Sequence, residues 1–223
     1  IKISSVHAWN VQQGCMAQWL GPDFRTRIIF NDFRDGRYCS VIFNIRDMKI
    51  EKILPKPIYD VAVDGSYALS LDFSRLHRPG YGYSNLPDST RDNLCPDKTC
   101  IWKLDLKTSS VTELLKYRDL ADFQPDITMK GAVHKVNHLM IRPDGKRFML
   151  LHRWFLNGKK HTRLVTADQN GKDLYNLSDD VFVSHCFWKN NQEILSFLRK
   201  AQTGDHYYLM RDQTQQYHML WPQ

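Results

Sequence analysis

The chain has 223 residues, is 42% hydrophobic and 25% charged, and carries a formal net charge of +7, an ordinary globular composition that is long enough for one or two domains. Its apolar runs are only a few residues long, which excludes a transmembrane helix. Lys and Arg are spread along the chain without the basic face and stacking aromatics of a nucleic-acid module, and the positive balance suits an anionic ligand such as an acidic sugar.

In chain order, Ile1–Gln13 predicts an edge strand, with Val6, Ala8 and Val11 among polar neighbours. A short strand over Cys15–Leu20 precedes the turn Gly21-Pro22-Asp23. Strands over Arg27–Asp32, Tyr38–Ile45 and Lys49–Leu54 follow, the first two joined by the tight turn Arg34-Asp35-Gly36-Arg37. The order then repeats with Ile58–Val63, a turn at Asp64-Gly65, Tyr67–Phe73, Ile101–Leu106 and Val111–Leu115, interrupted by a polar insertion over Ser74–Thr99. Around Leu115–Phe123 the apolar spacing predicts the chain's one helix, a link to the third unit.

That third unit opens on Lys135–Trp154, a strand, the turn Pro143-Asp144-Gly145 and a second strand whose apolar run Phe148–Leu151 is too short for a helix. The hairpin places His138 near the start of one strand and His152 near the end of the other, so that the two share one rim. His161–Ala167, a turn at Gln169-Asn170-Gly171 and Asp173–Leu177 complete the unit. The fourth consists of Phe182–Trp188, Glu193–Leu198, a turn at Thr203-Gly204-Asp205, His206–Arg211 and Tyr217–Trp221.

Four consecutive four-strand units, spanning 14–57, 58–123, 124–180 and 181–223, are the signature of an all-β fold, a β-propeller of four-stranded antiparallel blades. The turns at Asp64-Gly65 and Asp144-Gly145 fall at equivalent places in their units. Ile1–Gln13 offers a closing strand for Tyr217–Trp221; the favoured alternative is that the chain is part of a larger ring. Five cysteines without paired metal-ligand spacing read as free thiols in a reducing compartment, a Cys95–Cys100 disulfide being the alternative. No secretory leader is visible and a cytoplasmic location is favoured, with the start at Ile1 rather than Met leaving room for an upstream segment.

The stretches Trp9-Asn-Val-Gln-Gln-Gly14, Ile29-Phe-Asn-Asp32, Arg75-Leu-His-Arg-Pro-Gly-Tyr-Gly-Tyr83, Asn137-His-Leu139, Leu151-His-Arg-Trp154, Ser184-His-Cys-Phe-Trp188 and Gly204-Asp-His-Tyr-Tyr-Leu209 resemble the bacterial TolB-like and oligogalacturonate-lyase-like propellers over nearly the whole chain. Oligogalacturonate lyases are seven-bladed and cleave galacturonide oligomers by β-elimination, with a divalent metal, manganese, held by His and Gln side chains in a central funnel. The resemblance implies an acidic oligosaccharide as ligand and the start of such a site here.

His138 and His185, first residues of neighbouring inner strands, are the candidate metal ligands, for Mn or Zn, because converging neutral imidazoles suit a borderline divalent cation. His152, Arg75 and His77 are the candidate catalytic residues, taking up a proton and steadying the enolate-like charge. Arg78, Arg153, Tyr81, Tyr83 and Trp154 are the candidate substrate-binding residues, the arginines for a carboxylate and the aromatic rings for a sugar face. The histidines equally suit structural hydrogen bonds to a neighbouring blade, and the tyrosines of the insertion equally suit plugging a gap between blades. A non-catalytic TolB-like platform for a protein or glycan partner is the alternative function.

Overall fold

The computed structural model describes residues 3–76, 82–83, 86–180 and 182–221. Four four-stranded antiparallel sheets follow one another along the chain, the fold class read from the four-unit repeat. The first contains β1 (Gln18–Trp19), β2 (Arg27–Arg34), β3 (Arg37–Asn44) and β4 (Lys49–Leu54); the second β5 (Asp60–Val61), β6 (Tyr67–Leu71), β7 (Thr99–Asp105) and β8 (Val111–Lys116). Helix α1 (Tyr117–Asp122) leads to the third sheet, β9 (Val133–Ile141), β10 (Arg147–Leu156), β11 (Lys159–Asp168) and β12 (Tyr175–Ser178). The fourth is β13 (Phe182–Trp188), β14 (Glu193–Lys200), β15 (Gly204–Arg211) and β16 (Tyr217–Leu220).

Local chemistry accounts for the meanders. Asp35 and Gly36 take φ of 49° and 75°, and Asn157 and Gly158 take 50° and 77°. Both pairs therefore have the two left-handed residues of a type I′ turn, whose twist matches the flanking strands. Helix α1 is opened by the Asp119 carboxylate, which accepts from the Lys116 backbone N–H at 2.8 Å, and it buries Tyr117 and Leu120. Gly21 admits a close approach, since a Cβ there would sit 1.9 Å from the Val63 carbonyl oxygen.

The chain divides into two compact units, Ile1–Ser89 with Ile101–Glu113 and Thr90–Cys100 with Leu114–Gln223. In the first, Leu20, Ile29, Ile42, Leu54, Ile58 and Leu104 form an apolar core. In the second, Met149, Leu151 and Leu164 of the third sheet meet Val183, Leu198 and Tyr208 of the fourth. The Trp188 indole N–H donates to the Met140 carbonyl at 3.1 Å. A buried polar knot reinforces this second core: the Thr166 hydroxyl donates to Asp212 Oδ1 at 2.7 Å and accepts from Arg147 Nη2 at 3.1 Å. Arg147 Nε lies 3.2 Å from Asp212 Oδ2.

The predicted strand at Ile1–Gln13 is corrected: among the described residues this stretch holds only an isolated bridge between Asn10 and Gly14. The Asn10 side chain accepts from the backbone N–H groups of Gln12 and Gln13 at 3.2 and 2.7 Å, a local turn that competes with strand pairing. Cys15–Leu20 shortens to two residues, Met16 standing at φ of 56°. Ile58–Val63 shortens likewise. Lys49–Leu54 and Phe182–Trp188 form over the residues expected, and the helix sits inside the expected stretch. All five cysteines are free thiols, two of them buried. Among the described residues no helix is long and apolar enough to cross a membrane.

Candidate functional site

The β9–β10 hairpin organises the second unit. In its register Arg153 faces Lys135, His152 faces Val136 and Trp154 faces His134, so consecutive residues project to opposite sides. Because β9 begins at Val133, two residues before the expected start, His138 and His152 stand in mid-strand and not at a shared rim.

On one side of the hairpin His152 is fully buried in a chain of hydrogen bonds. Arg163 Nε donates to His152 Nδ1 at 3.1 Å. This acceptance leaves the His152 proton on Nε2, which lies 2.9 Å from His134 Nδ1. His134 then carries its own proton on Nε2, 3.1 Å from the Met129 carbonyl oxygen. The two tautomers follow from one fixed donor, since a guanidinium cannot accept. Burial, with the Arg163 charge behind it, holds His152 well below the usual histidine range. Both its nitrogens are occupied, and the chain ties the hairpin to the segment after α1. Trp154 lies on this side too, its indole N–H donating to Thr128 Oγ1 at 2.8 Å and its ring stacked on His161 at 5.4 Å. The cleft beside it, about 240 Å³, is lined by Thr128, Lys159, His161 and Asp179.

On the other side lies a basic group. Lys135 and Arg153 are only 7% and 8% exposed, with the Lys135 ammonium 5.6 Å from the Phe155 ring centre. Two acceptors near them, Asn137 Oδ1 and Thr162 Oγ1, are buried without a hydrogen-bond partner among the described residues; Thr162 pairs with Arg153 in register. Next to this group, β9 and β13 carry matching irregularities. The β9–β10 register shifts between Met149 and Leu151, and that of β13–β14 between Ser184 and Cys186. The bulged residues are His138 and His185, at φ of 55° and 48°. A non-glycine residue held in the left-handed region is uncommon, and bulges of this kind re-aim side chains. His185 is exposed, its Nδ1 2.8 Å from Ser184 Oγ.

The electrostatics follow from that crowding. Burial pushes His138 down to about 4, helped by the Arg153 guanidinium and by His185. Burial and Arg153 also lower Lys160. For His138 the unfolded chain, at about 6.5, takes up its proton before the folded one does. Stability is therefore fully present above about pH 6.5 and is lost as pH falls from there towards 4, with His152 shifted in the same direction. Thermal melts between those limits should fall by several degrees in Tm, and His138→Gln should flatten the slope; an unchanged slope would remove His138 as its source.

Manganese, as the resemblance implies, would need His138 and His185 as ligands. Among the described residues no third His, Cys, Asp or Glu joins them in a metal-holding group. The Arg153 charge beside His138 further opposes a divalent cation. The donor set fits an anion better than a cation.

In the first unit Arg75 sits in a 3₁₀ turn, Phe73–Leu76, 1% exposed and 3.4 Å from Asp88 Oδ2. Tyr83 is also 1% exposed, stacked between Tyr38 and Phe73 with ring centres 4.7 Å away on each side, and its hydroxyl is 2.5 Å from Asn31 Nδ2. Burial drives its hydroxyl pKa above the usual tyrosine range. Tyr83 thus fills the interior and presents no face to a sugar. His77, Arg78 and Tyr81 lie outside the described residues. The structure groups Arg153 with His138 and His185, turns His152 and Trp154 to the opposite side of the hairpin, and leaves Arg75 and Tyr83 in the first unit. Lys135, Asn137, His134 and Arg163 complete these clusters and were not singled out from the sequence; Lys135, Asn137 and His134 lie within four residues of His138.

No protein-family model matches this chain, nor does any curated protein. Solved structures do. Acylaminoacyl peptidase from Pyrococcus horikoshii is 13% identical at a TM-score of 0.55, covering 97% of this chain and 32% of the peptidase. TolB from Acinetobacter baumannii is 15% identical at 0.51, covering 92% and 43%. The β-propeller domain of the Trilobed protease from Pyrococcus furiosus is 12% identical at 0.52, covering 97% and 58%. The chain spans less than two thirds of each. At these identities the likeness concerns fold alone, and the fold is a β-propeller similar to that of TolB and of peptidase propeller domains.

Proposed function

We propose that this chain binds a carboxylate-bearing ligand, an acidic oligosaccharide, on the side of the β9–β10 hairpin that carries Lys135 and Arg153. The observation behind this reading is two basic side chains, each more than nine-tenths buried, beside the orphaned acceptors Asn137 Oδ1 and Thr162 Oγ1. Arg153 offers a planar fork that matches a carboxylate, and Lys135 adds a second positive charge. The two acceptors suit sugar hydroxyls, which donate as well as accept. Burial and the Arg153 charge keep His138 neutral at pH 7 and lower its basicity, so the contribution of this group to a β-elimination would lie in the positive charges that favour the enolate-like intermediate.

Titration calorimetry with short galacturonate oligomers and with their neutral galactose counterparts tests the reading. Binding of the acidic series alone is expected, weakened at least about tenfold by Arg153→Ala or Lys135→Ala. Equal binding of the neutral series, or an Arg153→Ala protein that binds as well as its parent, would refute it. Ultraviolet absorbance of a conjugated product during incubation separates an eliminating enzyme from a non-catalytic binding platform. Repeating the titration with added manganese shows whether a metal takes part.

A further inference from the structure

Lys160, just after the Asn157-Gly158 turn, stands opposite Phe155 in the β10–β11 register, two positions from the pair Arg153–Thr162. By the alternation of a strand its side chain therefore leaves the ribbon on the side that carries Lys135 and Arg153. Its ammonium lies 5.6 Å from the centre of the Phe182 ring. Arg153 is near enough for its charge to add to burial in lowering the Lys160 pKa. Phe155 adjoins both lysines, as the register partner of Lys160 and with its ring centre 5.6 Å from the Lys135 ammonium. Among the described residues no carboxylate pairs with the Lys160 ammonium; Asp180, which lines the same cleft, is held by Lys200 at 2.8 Å. A lysine that served only to solvate the turn would point away from another cation, since like charges held close cost stability. Lys160 lies over an aromatic ring beside Arg153 instead, a crowding that a bound anion would relieve.

We propose, resting on the reading of the basic group as a carboxylate site, that Lys160 is a second such site and sets a preference for ligands with acidic residues in succession. One carboxylate would take the Arg153 fork and the Lys135 ammonium, and the next would take Lys160. Arg153 and Lys160 are diagonal neighbours on paired strands, with Cβ atoms about 7 Å apart. The four-carbon stem of lysine lets its ammonium adjust to the step between adjacent sugar residues. The Phe155 ring, next to both lysines, offers an apolar floor for the C–H face of a pyranose that reaches from one to the other. Arg153 and Lys135 are buried whereas Lys160 is exposed, so the two sites lie one behind the other from the interior to solvent. A ligand that enters by its end meets them in that order, and a single acid needs only the inner one.

Calorimetric titration of the 223-residue chain with galacturonate and with digalacturonate separates the two sites. Digalacturonate should bind at least about tenfold more tightly than galacturonate, and Lys160→Gln should remove that gain while leaving the affinity for galacturonate within about twofold. Lys160→Arg, which keeps the charge, should retain most of the gain. Acylation of the Lys160 amine by an N-hydroxysuccinimide ester, followed by peptide mapping, gives a second readout that a merely structural lysine would not move: digalacturonate should slow it several-fold and galacturonate should not. Equal affinity of the parent for the two acids, or a Lys160→Gln protein that keeps the gain, overturns the role of Lys160 and leaves carboxylate binding by Arg153 and Lys135 in place. Binding of neither acid, or binding that Arg153→Ala leaves unchanged, overturns the carboxylate reading of the basic group and the role of Lys160 with it.

Discussion

Arg163→Ala should destabilise the protein by about 3–5 kcal/mol, a fall in Tm of about 10 °C, readable by denaturant and thermal unfolding. Arg163 is 1% exposed. Its Nη1 donates to the Gln124 carbonyl at 3.0 Å, and its Nη2 to the carbonyls of Leu120 and Phe123 at 2.5 and 2.9 Å. Its Nε supplies the bond that sets the His152 tautomer. Burial lowers its pKa to about 10, which still leaves the side chain charged at pH 7. Alanine would strand three carbonyls and one imidazole nitrogen that the guanidinium now satisfies. Arg163→Lys should recover little, since one ammonium cannot reach along the fork to all four acceptors. A loss below about 1 kcal/mol for the alanine variant would mean that water replaces the guanidinium, and that the histidine chain orders itself without it.

The second large effect is expected for Asp212→Ala, about 3 kcal/mol. Asp212 is 8% exposed and lies beside Arg147, itself 5% exposed. It accepts from Thr166 and sits within ion-pair distance of Arg147. Removing the carboxylate leaves a buried cation whose remaining acid, Asp173, is half in water: its side chain is 62% exposed. Since the Asp212 carboxylate and the Thr166 hydroxyl act as one group, Thr166→Val should lose most of its cost in the Asp212→Ala background. Strict additivity in that double-mutant cycle would show that the two are not coupled. The reason for the size of the effect is desolvation: the charge was already taken out of water, and its partner is what made that tolerable.

Much of the frame was legible because its determinants are local. Asp35-Gly36 and Asn157-Gly158 announce hairpins by the geometry they permit. The interior of the third sheet was not legible for the opposite reason. From Arg147 to Trp154 every residue is buried, so alternation of polarity vanishes and nothing in the sequence says which way His152 and Arg153 point. That ambiguity placed His152 with His138, although its partners are His134 and Arg163. The equivalence of His138 and His185 could be read from the repeat, but the bulges that present them could not, because neither is marked by a glycine. Tyr83 could be read equally as a ligand-facing ring or as a plug, because an insertion has no periodicity to expose its stacking on Tyr38 and Phe73.

The hairpin of β9 and β10 leaves one consequence for how this protein can vary. Its even-numbered residues, His134, His152 and Trp154, hold the segment after α1, and its odd-numbered ones, Lys135, Asn137 and Arg153, make the basic group. The histidine chain and the basic group are thus interleaved at every second residue of one ribbon. Substitutions can tune either set separately, but a single-residue insertion or deletion in β10 would swap the sides to which His152, Arg153 and Trp154 project, breaking the histidine chain and the basic group together. The ribbon can drift in composition but not in length.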